Sequence, residues 1–274
     1  MPVITKIEVQ KRNKERYNIF LDQGKGEEYA FSVDETVLIK YQLKKGIELD
    51  DLSITEILYK DDIQKAYHIA IQYLSHRMRS EGEVREHLLK KEKANSVIQE
   101  VIHRLTEQKY LNDREFSEAY VRTQINTTDK GPDVIKAELK NKKVEESIID
   151  EALVEFPLEV QIEKIILIAN KYVNKNSRDS SRIVKQKLEQ QLVRKGYSYD
   201  VISIASEEML TKKNIEEEME ALRYQGNKLY RKFSKLPEFE CKQKIKQGLY
   251  NKGFSLEQIE EYLNKITIEV EEPF

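Results

Sequence analysis

The sequence predicts a mainly α protein: tandem three-helix repeats in an elongated curved array, preceded by a small β-rich cap. Three observations carry this. Glycine (9 residues) and proline (5 residues) are scarce in 274 residues, a balance that favours long helices joined by short turns. From about Asp61 onward the apolar residues recur at helical spacing,. An apolar pair four residues apart also recurs four times, as Val84 and Leu88, Ile135 and Leu139, Leu188 and Leu192, Ile245 and Leu249.

The first 60 residues read differently. Val3, Thr5, Ile7 and Val9 fall at even spacing, the period of a strand with one buried face, and Tyr17, Ile19 and Leu21 repeat it,. Gln23 to Gly26 supplies turn residues before Tyr29, Phe31 and Val33 alternate again, so an antiparallel meander is expected,. Ser32 to Leu43 then takes helical spacing, with Asp34 as cap and Gly46 as stop,.

Ten residues beyond each anchor leucine lies an isoleucine: Ile98, Ile149, Ile202 and Ile259. Successive anchors Leu88, Leu139, Leu192 and Leu249 are spaced by 51, 53 and 57 residues, too long for a helix pair and suited to three helices,. The expected division is a cap over 1–60, modules over 61–111, 112–156, 157–212 and 213–268, and an acidic tail over 269–274. One such unit is marginal alone, so neighbours must pack in series, over about 80 Å at roughly 20 Å per module.

Local caps mark the seams. Asn112 can accept from free amides while Glu115 reaches back, with Leu111 and Phe116 at the staple positions; Ser80 and Glu83 form a similar box,. Pro132, after Gly131, sits at a first helical position,. The third and fourth modules have no cap at the matching place, and their middle helices are expected to begin near Ser180 and Ser234.

Charge and motifs narrow the function. With 47 Lys plus Arg against 49 Asp plus Glu, a uniformly basic nucleic-acid coat is excluded, and any polyanion contact must be local,. One cysteine, Cys241, excludes a disulfide framework and paired-thiolate zinc sites, and fits a reducing, cytoplasmic setting,. No signal peptide, membrane-length apolar run, GxGxxG, GxxxxGK[ST] or GxSxG occurs, so a soluble non-enzymatic protein without cofactor, metal or catalytic residues is expected,. His68, His76, His87 and His103 read as surface histidines, since none is paired at one-turn spacing with a cysteine nearby,.

Lysine stands three residues after each anchor, at Lys91, Lys142, Lys195 and Lys252. The row can track a polyanionic groove, or each lysine can simply complement the carbonyl end of its helix, with Gly196 and Gly253 as stops,. Lys136, Lys140 and Lys143 with Arg122 and Lys130, and Arg178, Arg182 and Lys185, form two further stripes, readable as phosphate contacts or as solvated faces,. Aromatic residues do not interleave these stripes along the sequence, which speaks against base reading,.

The segment YLSHRMRSEGEVREHLLKK, with Tyr110-Leu111-Asn112-Asp113, Phe116 and Tyr120, and Gly131-Pro132 with Ile135, Glu138 and Leu139, resembles the RecX family of regulators of the RecA recombinase. The amino-terminal ITKIEVQKRNKERYNIFLD resembles the extension of its longer Gram-positive members. This resemblance implies tandem three-helix repeats in a monomer that binds RecA or its filament on single-stranded DNA and restrains ATP hydrolysis, filament growth and strand exchange. A helical-repeat protein that binds DNA directly and acts without RecA, and a passive helical scaffold for another partner, are the alternatives; weak direct DNA binding is an expected accompaniment of the leading reading. The modules after Pro157 lack a YLND-like linker, so their contacts stay open.

Overall fold

The computed structural model describes residues 1–208 and 215–271. The chain is mainly α, with a small amino-terminal sheet, and divides into two compact units, Met1–Ala119 with Leu139–Ala152, and Tyr120–Glu138 with Leu153–Phe274.

In the first unit, β1 (Val3–Val9), β2 (Arg16–Asp22) and β3 (Glu27–Asp34) form an antiparallel meander in that order. The expected buried face of β1 is corrected. Ile4, not Val3 or Thr5, is the fully buried side chain, because the register shifts between Ile4 and Lys6 and brings Ile4 onto the face of Ile7; Val9, at the strand end, is exposed,. The first helix is shorter than expected. Asp34 does cap it, accepting from the Thr36 amide, but α1 spans only Glu35–Lys40. Gln42, at φ 48°, turns the chain before Gly46 is reached.

The long α2 (Asp51–Leu74) starts ahead of position 61, the expected start of the helical region, because Asp50 accepts from the Ser53 amide. Its length serves two cores. Ile57 packs with Ile4, Ile19, Leu21 and Val33 beneath the sheet, and Ile63, Ala66 and Ala70 pack with Val84 and Leu88 of α3 (Glu81–Lys90) and Val101 and Leu105 of α4 (Asn95–Glu107). Each fully buried leucine or isoleucine contributes about 1.5–3 kcal/mol. The seam between cap and first module is polar. Asp61, almost wholly buried, accepts from Arg16 at 2.9 Å, from Lys65 at 2.8 Å and from the Asp34 amide at 2.8 Å.

The second module supplies α5 (Asp113–Thr127), α6 (Pro132–Asn141) and α7 (Glu146–Leu153), whose residues are shared between the two units. The second unit continues with α8 (Leu158–Lys175), α9 (Ser181–Arg194) and α10 (Tyr199–Glu208), then α11 (Ile215–Phe233), α12 (Glu238–Asn251) and α13 (Leu256–Glu271). Ser180 caps α9 through the Ile183 amide as expected. The expected start of α12 near Ser234 is corrected: Pro237 occupies the cap and Ser234 lies in the turn after α11. All eight anchor residues and the four isoleucines are buried. Cys241 is a free thiol buried in one cluster with Leu222, Ile245 and Leu249. The boundary at 212/213 and the tail end 272–274 lie outside the described residues. No helix among the described residues is long and apolar enough to cross a membrane.

Candidate functional site

The middle helices end alike. In α3, α6, α9 and α12 the residue after Lys91, Lys142, Lys195 or Lys252 has positive φ: Glu92, Lys143, Gly196 and Gly253. The next amide, of Lys93, Val144, Tyr197 or Phe254, returns to the carbonyl of Leu88, Leu139, Leu192 or Leu249. This is a Schellman stop, and the lysine is its cap residue, where a cation complements the helix dipole,.

Three of these ends receive the start of the preceding middle helix. Ser80 Oγ donates to the Lys142 carbonyl at 2.7 Å, the Gly131 amide to the Lys195 carbonyl at 2.6 Å, and Ser180 Oγ to the Lys252 carbonyl at 2.5 Å. Carbonyls that a helix leaves orphaned are thus satisfied by the neighbouring module. The fit is tight. A β-carbon at Gly82 would lie 2.5 Å from the Lys142 carbonyl oxygen, and one at Gly131 would lie 2.5 Å from the Gly196 carbonyl. At Gly196 it would meet the Val134 nitrogen at 2.6 Å. The four lysines are therefore spaced by the joints, with Lys91 exposed and the other three half-buried.

Six of the twelve candidate cations meet acids of the same chain. Lys142 reaches Glu83 at 3.1 Å and lies over the Phe116 ring at 5.9 Å, and Lys195 meets Asp129 at 3.2 Å. Arg122 grips Glu155 with two nitrogens, at 2.7 and 3.0 Å, and Lys130 meets Glu138 at 2.5 Å. Lys140 pairs with Glu146 at 2.8 Å and Lys185 lies 4.0 Å from Glu189. Lys136 is half-buried, and Lys143 and Arg182 are exposed. Glu83 is a hub, also taking Arg77 at 2.8 Å and the Ser80 amide at 3.2 Å. Burial pushes its carboxyl up, but these donors outweigh burial and hold it below the usual range,.

The linker residues carry structure. Asn112 accepts from the Arg114 and Glu115 amides, and Leu111 and Phe116 are buried. Asp113 caps a different helix, accepting from the Glu81 amide at 2.7 Å, and burial raises its carboxyl above the ordinary range. Tyr120 donates to Glu138 at 2.8 Å, and Pro132 opens α6, while Tyr110 is more than half exposed. Among the described residues no group of His, Cys, Asp and Glu could hold a metal ion. His87 departs from the surface reading: it is half-buried, with its ring stacked 4.0 Å from Tyr73. Sequence reading also kept aromatics apart from the basic stripes. Arg178 instead lies 4.5 Å from the ring of Tyr224, which α11 brings to it from 46 residues away.

A small sheet followed by three-helix modules, with middle helices that meet end to start within each unit, defines a helical-repeat protein,. Models of four successive domains match the chain: the RecX N-terminal domain at residues 2–50, the first three-helix domain at 66–105, the second at 112–153, and the third at 159–205 and again at 216–263. Regulatory protein RecX of Bacillus cytotoxicus is 49% identical over 263 residues, covering 96% of this chain and 97% of its own. The same protein of a Bacillus cereus strain matches equally over the same shares. A crystal structure of regulatory protein RecX superimposes with TM-score 0.66 at 38% identity, over 76% of this chain and 100% of that one. RecX from Lactobacillus salivarius gives TM-score 0.53 at 39% identity, over 54% and 97%. The chain belongs to the RecX family of regulatory proteins.

Proposed function

We propose that the protein binds the RecA recombinase, or its filament on single-stranded DNA, and restrains ATP hydrolysis, filament growth and strand exchange. It acts by binding, as a monomer in the cytoplasm, and carries out no chemistry of its own. Family membership over nearly the whole chain is the observation that supports this. The physical argument is multivalency. Four modules in series offer related surfaces to a polymer of identical subunits, so contacts that are weak singly become strong together. Lys91, Lys143 and Arg182, exposed on three different modules, are the sequence-selected cations best able to meet an acidic partner surface,.

The test is to add the purified protein, substoichiometrically, to RecA, single-stranded DNA and ATP, and to follow hydrolysis and filament length. A fall in both is expected; no change in either overturns the proposal. Small-angle scattering of the free protein checks the companion expectation that the modules are strung out, and a compact particle would remove the basis for contact with several subunits.

A further inference from the structure

Each joint has an entering helix start and a receiving helix end, and the series leaves one of each over. Among the described residues the start of α12 and the end of α3 belong to no joint. Glu238 and Phe239 at that start, and Lys91 and Glu92 at that end, are exposed. A second copy of the chain therefore brings an end to the spare start and a start to the spare end. Contacts of this head-to-tail kind need not close on themselves, and left open they grow into fibres.

The three joints show what such a contact requires. The cap residue of the entering helix donates to the carbonyl of the receiving lysine, Ser80 and Ser180 through a hydroxyl and Gly131 through its amide. Where the entering first turn passes the positive-φ residue of the receiving end, one of the two is glycine. Gly82, two residues beyond its cap, passes Lys143, and a β-carbon on Gly82 would lie 2.4 Å from that of Lys143. At the other two joints the glycine is on the receiving side: Gly196 is passed by Val134, and Gly253 by Arg182 and Ile183. The spare pair fails both requirements. Pro237 caps α12 and has neither an amide hydrogen nor a hydroxyl to give, so burying the Lys91 carbonyl against it leaves that acceptor unpaired,. Two residues beyond the cap stands Phe239, and the positive-φ residue after Lys91 is Glu92, at φ 57°, so that both sides of this contact carry a β-carbon.

We infer that Pro237, Phe239 and Glu92 are a stop, which closes the chain to a second copy and ends the series at α12. The inference goes beyond the recombinase reading and does not rest on it, so its test contains no recombinase. Sedimentation equilibrium is run on the wild-type chain, on Pro237→Ser and Glu92→Gly separately and as an equimolar mixture, and on two double variants that copy existing joints. One is Pro237→Ser with Phe239→Gly, after Ser80 and Gly82; the other is Pro237→Ser with Glu92→Gly, after Ser180 and Gly253. Circular dichroism verifies that each variant is folded. The wild type and both single variants are expected to stay at the monomer mass. The mixture, with one matched seam between its two chains, is expected to reach about twice that mass, and each double variant, matched at both ends, to keep growing with concentration. Growth of the wild type or of a single variant, a mixture that stays at the monomer mass, or a folded double variant that does not grow each overturns the inference.

Discussion

Gly196 and Gly24 separate two reasons for glycine. Both have φ near +90°, but nothing lies within 4 Å of a β-carbon at Gly24, whereas at Gly196 it would meet the Val134 nitrogen. Gly24→Ala is expected to cost about 1–2 kcal/mol from conformation alone, and Gly196→Ala at least twice that, measured as the shift in urea midpoint. Equal costs would mean that the joint has slack. Asp61 gives a pH prediction. Burial alone raises its carboxyl, yet Arg16, Lys65 and the Asp34 amide outweigh burial and hold it below the usual range. A depressed carboxyl contributes stability that is present above its unfolded value and lost as pH falls through its folded value. Helicity at 222 nm should therefore fall on the acid side, and Asp61→Asn should be less stable at pH 7 with a flatter acid limb. These effects were only partly legible in sequence: Asp61 reads as an ordinary exposed helix residue until Arg16, 45 positions away, is folded onto it.

At the scale of the element, helices were legible wherever their signals are local. Ser80 with Glu83, Ser180 and Pro132 mark starts that the backbone adopts. Signals that depend on pairing were not. The bulge in β1 shifts its phase, and the start of α12 is set by Pro237 rather than Ser234. Nor does the sequence reveal that a cap can serve two helices at once. Ser80 accepts from its own Glu83 amide and donates to Lys142. Ser80→Ala is expected to cost about 2 kcal/mol, from the lost cap and the abandoned carbonyl together, by chemical denaturation. A cost no larger than an ordinary cap would show that the link to Lys142 contributes nothing.

For the whole molecule, the anchor leucines fall one in each of the helices α3, α6, α9 and α12, and the model of the third family domain matches twice, at 159–205 and 216–263. The cation sites were harder to read, because charge pairing depends on which acids the fold brings near. Arg122 finds Glu155 and Lys195 finds Asp129 across 33 and 66 positions, and Arg223 lies close enough to Glu261, 38 positions on, to help Lys265 hold its carboxyl below the ordinary range. The joints explain how such a chain can lengthen. Clearance comes from Gly82 on the entering helix at the first joint, from Gly131 and Gly196 on both sides of the second, and from Gly253 on the receiving end at the third. Because every seam places a glycine where backbone comes closest, and the second needs one on each side, a module can be exchanged or duplicated only together with the glycines of the seam it enters.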